Sequence, residues 1–189
     1  VYKRQTKDWL TLFDADGKEK PWFWHHYGFH QEANYDALVS TPGFDGLIRH
    51  PRLLAVVEGL LGGPSCFGEI GLRRMRKYDG EVHRQWHRDR AHWPEHPLRT
   101  DYIKLIVYLT DVDDETHCLS RSPEDIAEPV LTDNDNQLER GGIVDITGPA
   151  GTCAIFIVAL LHTATTRATE RTRKSVQIYY GHRDRAPLA

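Results

Sequence analysis

The segment Gln85-Trp86-His87-Arg88-Asp89 carries a histidine and a carboxylate two positions apart. In extended backbone that spacing sends both side chains off the same face. Two imidazoles and one carboxylate gathered on one side of an ion are the donor set of a non-haem iron(II) centre, with the opposite positions open. The second imidazole must come from a distant strand that folds back beside the first. His162 fits, since it follows the apolar run ending Ala159-Leu160-Leu161. Arg173 lies beyond it, a planar two-pronged cation suited to the distal carboxylate of an acidic co-substrate such as 2-oxoglutarate. With O2, such a site oxidises an unactivated carbon; metal and co-substrate supply the reactivity, and the protein supplies placement and dryness. A lone His-x-Asp is a weak signal, and its weight here comes from the β-rich half that follows and from the His162–Arg173 pair.

Other polar residues compete for roles. Arg171 shares the parity of Arg173 along the last strand, so alternation alone does not separate them. Arg73, Lys104, Tyr102 and Thr163 are candidates to line the 2-oxoglutarate or substrate pocket, and each also reads as structural or solvated. His83, His92 and His96 lie near the motif and read as non-ligands. Arg88 and Arg90 would frame the site with positive charge or simply be exposed, while His117 and His182 read as surface residues. Trp86 reads as core packing, and Trp93 as core packing or a pocket wall.

Elements must hold these residues in place. Residues 1–35 are aromatic-rich and irregular, with a turn at Asp14-Ala15-Asp16-Gly17 and surface histidines at 25, 26 and 30. Asn34–Ser40 and Phe44–Leu61 read as helices. The second carries an apolar stripe through Leu47, Ile48, Leu53, Leu54, Val57, Leu60 and Leu61, is split by Pro51, and stops at Gly62-Gly63-Pro64. From residue 64 the texture is β: Cys66–Tyr78, a turn at Tyr78-Asp79-Gly80 into Glu81–Asp89, then Ile103–Leu109, Ile143–Ile146, Thr152–Val158, Leu161–Thr166 and Lys174–Tyr180. Residues 111–140 are acidic and turn-rich and read as a long connection over the mouth of the site. The expected fold is mainly β with N-terminal helices: one domain over 1–189, with a helical buttress at 1–63 and a jelly-roll core at 64–189.

Composition limits the rest. A chain of 189 residues holds one sizeable core. Net charge is −3 with no long run of one sign, which leaves no electrostatic basis for binding nucleic acid or an anionic membrane. No stretch approaches a membrane-spanning helix, no signal peptide opens the chain, and the start at Val1 reads as a trimmed N-terminus. Cys66, Cys118 and Cys153 are odd in number and widely spaced, which argues against a disulfide framework or structural zinc and for a reducing cytoplasm.

The C-terminal two thirds resemble the phytanoyl-CoA dioxygenase (PhyH) family of Fe(II)/2-oxoglutarate-dependent oxygenases. The matching pieces are Gln85–Asp89 against the family's WHxD strand, Val107-Tyr108-Leu109-Thr110-Asp111-Val112 against its central strand, Gly148-Pro149-Ala150-Gly151-Thr152, and His162 with Arg173 eleven positions on. The helix around His50–Leu54 and Leu60–Gly62 is similar to the family's helical part. The resemblance implies a double-stranded β-helix, cupin-like in outline, with His87, Asp89 and His162 on Fe(II) and Arg173 on 2-oxoglutarate. It also implies hydroxylation of a small organic molecule with release of succinate and CO2. The retained Asp89 sets the chain apart from halogenating relatives, which carry a small residue there. One departure falls at Cys118–Asp125, where the family often has a Pro-Gly-Ser-His-like turn, and it bears on the substrate. The rival readings are a cupin-like metal enzyme that uses no 2-oxo acid and a non-catalytic ligand-binding barrel; Arg173 has an evident task only if a 2-oxo acid binds.

Overall fold

A computed structural model of the chain describes residues 25–26, 31–34, 37–41, 43–89, 102–125 and 127–184. The Asp14–Gly17 turn, His30, Arg90, His92, Trp93 and His96 lie outside the described residues. In chain order the elements are β1 (His25–His26), β2 (Gln31–Asn34), α1 (Ala37–Ser40), α2 (Gly43–Ile48), α3 (Pro51–Leu61), β3 (Ser65–Met75), β4 (Tyr102–Tyr108), β5 (Cys118–Arg121), α4 (Asn134–Gly141), β6 (Val144–Ile146), β7 (Cys153–Ile157), β8 (His162–Thr165) and β9 (Arg173–His182). Among the described residues the strands form two antiparallel sheets, ordered β1-β2-β3-β9-β4-β7 and β6-β5-β8. From β3 onward the chain passes repeatedly from one sheet to the other, which is the winding of a double-stranded β-helix.

Period-two alternation gives the large sheet two unlike faces. On one, Ile70, Leu72, Ile103, Leu105, Val107, Val176, Ile178 and Tyr180 pack with Phe44, Leu47, Ile48, Val57 and Leu61 of the helices. The Tyr180 hydroxyl donates to the Ile48 carbonyl at 2.9 Å and pins sheet to helix. On the other face the register aligns Lys104 with Tyr179, Ile106 with Gln177, Tyr108 with Ser175 and Arg73 with Ser175. That polar face looks into the barrel. The helical break falls where expected: Pro51 cannot continue α2, lacking the N–H, and instead opens α3 at its first turn. Gly62 then ends α3 in the left-handed region, φ 72°, its N–H donating to Glu58 O at 2.9 Å.

Three expectations are corrected. Asn34 belongs to strand β2, which pairs with β3 through Asn34–Leu72, and helix begins only at Ala37. The run 78–89 does not form a hairpin with β3, whose edges are taken by β2 and β9. It crosses to the small sheet and meets it at three isolated bridges, Tyr78–Thr169, His83–Thr166 and His87–His162. The ladder is interrupted because the Gln85 N–H donates to the Thr163 hydroxyl (2.9 Å) and not to a strand carbonyl. The connection 111–140 contains β5 and α4, the latter capped by the Asp133 carboxylate, which accepts from Asn136 N–H at 2.9 Å. Among the described residues no helix is long and apolar enough to cross a membrane.

Candidate metal centre and co-substrate pocket

His87 and His162 face each other across the bridge between the two segments, their ring centroids 4.5 Å apart. Each ring places Nδ1 at 2.8 Å from the carbonyl of the residue two positions earlier, Gln85 for His87 and Leu160 for His162. A carbonyl only accepts, so the proton sits on Nδ1 and each Nε2 presents its lone pair. Both Nε2 atoms lie beside Asp89, with Oδ1 at 3.5 Å from His87 Nε2 and 3.6 Å from His162 Nε2.

The Asp89 carboxylate is itself oriented. Its backbone N–H donates to Val158 O at 3.0 Å. Oδ2 accepts from Lys104 Nζ at 2.9 Å and from the Tyr179 hydroxyl at 3.3 Å. Oδ1 is therefore left for the histidines. The three donor atoms lie within 4.8 Å of one another. Donors at about 2.1 Å from one ion are at most about 4.2 Å apart, so a small ring movement of half-exposed His87 closes the set around a cation.

Protonation follows from this packing. Burial opposes ionisation of Asp89, but His87, Lys104 and His162 outweigh it and hold the carboxyl well below the usual carboxylate range. Asp89 raises His87, against the opposing effect of burial. Burial, reinforced by the Lys104 charge, pushes His162 down to about 3. Asp89 is thus held as an anion and His162 as a neutral imidazole, while His87 is biased toward its protonated form.

Arg173 opens β9 and is 3% exposed. Its Nε and Nη1 have no hydrogen-bond partner among the described residues, and its guanidinium stands 5.9 Å from the centre of the Tyr108 ring. An arginine stays charged even where burial pushes its pKa down, and a buried cation without an anion is costly. Two positions on, the Ser175 hydroxyl is also buried and has no partner among the described residues. An orphaned guanidinium and hydroxyl on one strand face make a receptor for a carboxylate, so the residues present fit both the metal and the acidic co-substrate. Arg171 does not share this setting: it is half-exposed and holds Asp113 bidentately at 2.7 and 2.8 Å.

Other candidates settle into distinct places. Lys104 is 5% exposed and bonds Asp89, with Nζ also 3.4 Å from His162 Nε2. Arg73 is buried in β3 opposite Ser175, on the face shared by Arg173 and Lys104. Thr163 spends its hydroxyl on the Gln85 amide, fastening the His87 segment to β8. Two surface readings are corrected. His117 is fully buried, donating to Arg76 O at 2.7 Å and accepting from Arg167 N–H at 3.1 Å. Arg88 is a buried clamp: it pairs Glu124 with both Nη atoms (2.8 and 2.9 Å) and donates to Ala159 O and Leu131 O. Sequence reasoning missed Tyr179 and Ser175, although both share the parity of Arg173 along β9. It also missed a cavity of about 310 Å³ beside His162, lined by Leu119, Arg121, Ile146, Phe156 and Leu160 among others.

The model of the family described as phytanoyl-CoA dioxygenase (PhyH) matches residues 8–175. The chain belongs to this family. A relative, L-proline trans-4-hydroxylase of Streptomyces griseoviridis, is 26% identical over 171 residues, covering 75% of this chain and 63% of that protein. The chain therefore spans less than two thirds of that relative's length. Among solved structures, EctD from S. alaskensis with bound Fe superposes with a TM-score of 0.74 at 19% identity, covering 96% of this chain and 68% of that one. HygX from Streptomyces hygroscopicus, crystallised with nickel, 2-oxoglutarate and hygromycin B, gives 0.69 at 19% identity, with 95% and 79% covered. These structural likenesses are of fold.

Proposed function

We propose that this PhyH-family chain is a non-haem Fe(II)- and 2-oxoglutarate-dependent dioxygenase that hydroxylates a small organic molecule. His87, Asp89 and His162 would hold the metal and Arg173 the distal carboxylate of 2-oxoglutarate, aided by Lys104, Arg73 and Thr163 at the pocket wall. The observation that carries the reading is a charge imbalance: among the described residues buried Arg173 lacks an anion, inside the same barrel that gathers three candidate metal donors. Relatives point the same way, one named a hydroxylase and one crystallised with 2-oxoglutarate. Bound together, Fe(II) and 2-oxoglutarate supply O2-dependent chemistry in which one oxygen atom enters the substrate and the other enters succinate, with CO2 released.

The chain's own part is preparation. The Leu160 and Gln85 carbonyls fix the imidazole tautomers, Lys104 and Tyr179 fix the Asp89 carboxylate, and Phe156 and Leu119 keep the surroundings apolar. We take 1–189 as one such domain, with 1–63 as the buttress and 64–189 as the core, and place it in the cytoplasm on its three free cysteines. A cupin-like metal enzyme without a 2-oxo acid, or an inert ligand-binding barrel, would leave Arg173 without a task.

Anaerobic titration of the metal-free protein with Fe(II) and then 2-oxoglutarate tests the reading. A visible charge-transfer band that needs the 2-oxo acid, weakens in Arg173→Ala and vanishes in Asp89→Ala is the expected result. Iron binding without that band would sink the co-substrate assignment.

A further inference from the structure

We propose that Arg121 selects the substrate, holding the carboxylate of a small and otherwise apolar acid beside His162. The proposal rests on the oxygenase reading above and names the substrate class for the same site. In the β5–β8 ladder Arg121 is directly opposite His162, and Leu119 is opposite Ala164. Directly opposed residues in an antiparallel pair share a face, so Arg121 and Leu119 look into the barrel with His162. All three line the cavity of about 310 Å³, whose other walls include Ile146, Phe156 and Leu160.

Charge pairing singles out this residue. Neighbouring cations are committed: Arg88 to Glu124, Arg167 to Asp145, Arg171 to Asp113 and Lys104 to Asp89. Among the described residues the Arg121 side chain forms no hydrogen bond or ion pair. A guanidinium in a cavity walled by leucine, isoleucine and phenylalanine finds a partner only in water or in a bound anion. Its planar fork matches a carboxylate through two parallel N–H···O bonds. The apolar walls favour a hydrocarbon skeleton over a second charged group, and the volume lies at the lower end of small-molecule sites. Arg173 does not line this cavity, so the two arginines divide two acids: Arg173 takes the co-substrate and Arg121 the substrate. The departure from the family pattern at Cys118–Asp125 falls on the strand and turn that bring Arg121 in.

The test uses protein loaded with Ni(II) and 2-oxoglutarate and titrated calorimetrically with amino acids and short branched or cyclic carboxylic acids. Each acid is paired with its primary amide, and iron-loaded protein reports turnover as succinate. At least one acid should bind at least tenfold more tightly than its amide. Arg121→Gln should abolish that preference, Arg121→Lys should keep part of it, and both should retain the Fe(II)–2-oxoglutarate band of the wild type. The proposal is overturned if Arg121→Gln keeps the acid-over-amide ratio, if amides bind as well as acids, or if no acid binds. Loss of the band in Arg121→Gln would also overturn it, assigning Arg121 to the co-substrate. A wild type without the band would defeat the oxygenase reading itself, a different failure.

Discussion

His87 and His162 exchange both backbone hydrogen bonds, each N–H donating to the other's carbonyl at 3.0 Å. Two residues far apart in sequence are thereby registered by a single rung, and their rings inherit that register. The next rung is made by a side chain, the Thr163 hydroxyl that receives the Gln85 N–H.

Replacing Thr163 with valine keeps the shape and leaves that part-buried amide without its acceptor, at a cost toward the lower end of the about 1–3 kcal/mol for an unsatisfied buried donor. Thr163→Val should lower the denaturation midpoint and weaken Fe(II) binding together, and Thr163→Ser should restore both. Urea unfolding and metal titration check this. A variant with lowered stability and unchanged affinity would show that the rung does not position the ligands.

Acid should act on the site in two stages. Metal binding requires neutral imidazoles, and Asp89 raises His87 above its ordinary 6.5. Apparent Fe(II) affinity should therefore fall as pH drops through the raised His87 value, with one proton in competition. His162, pushed down to about 3, binds protons more readily unfolded than folded. Its contribution lowers stability as pH falls from about 6.5 to about 3. His87 works in the opposite sense: its stabilisation of the metal-free protein is full below 6.5 and is lost as pH rises through its raised folded value. Asp89, held low, withdraws its stabilisation only below the ordinary carboxylate range. Unfolding midpoints and Fe(II) titrations between pH 5 and 8 separate these contributions.

Arg173 costs the metal-free protein stability, because its buried Nε and Nη1 go unpaired among the described residues. Arg173→Met should raise stability by roughly 1–3 kcal/mol while eliminating the 2-oxoglutarate-dependent band. Arg171→Ala should leave the band unchanged, its salt bridge with Asp113 lying at the surface. Thermal melts beside the anaerobic titration decide the matter. A destabilised Arg173→Met would mean that the guanidinium is structural.

The Arg88–Glu124 pair is buried, with side-chain exposures of 9% and 6%. Removing one partner of such a pair costs about 3–5 kcal/mol, and apolar replacement of both is often neutral. Glu124→Gln and Arg88→Met should each lower the urea midpoint strongly, and Arg88→Met/Glu124→Leu should recover most of the loss. Equal losses in single and double variants would argue that the backbone bonds of Arg88 matter more than its charge.

Much of this molecule can be read from its sequence because apolar runs mark the strands and a few polar residues break into them. His162 directly follows Leu160-Leu161, and Arg173 directly precedes the apolar alternation of β9, so each stands out. The break at Pro51 and the stop at Gly62 follow from backbone chemistry alone. The illegible parts depend on distant partners. Arg88 looks like any exposed arginine until Glu124, from within the 111–140 connection, closes on it. Helix α4 has no apolar stripe; it is held by its Asp133 cap and by buried Gln137, whose amide reaches Ser122 Oγ and Pro123 O. The run 81–89 has strand-like composition, but its Gln85 amide is bonded by a side chain, which no alternation pattern encodes. Tyr179 becomes part of the site only once β9 is registered against β4.

The two-faced large sheet has a further meaning for how the protein tolerates change. Along β9, Arg173, Ser175, Gln177 and Tyr179 face the barrel, while Val176, Ile178 and Tyr180 face the helices. A positional scan of this strand should give phenotypes that alternate residue by residue. Odd positions yield folded protein with altered ligand binding; even positions yield protein that is lost from the soluble fraction. Adaptation to a new ligand and maintenance of the fold thus draw on separate sets of codons within one ten-residue strand, and selection can move the first set while leaving the second untouched.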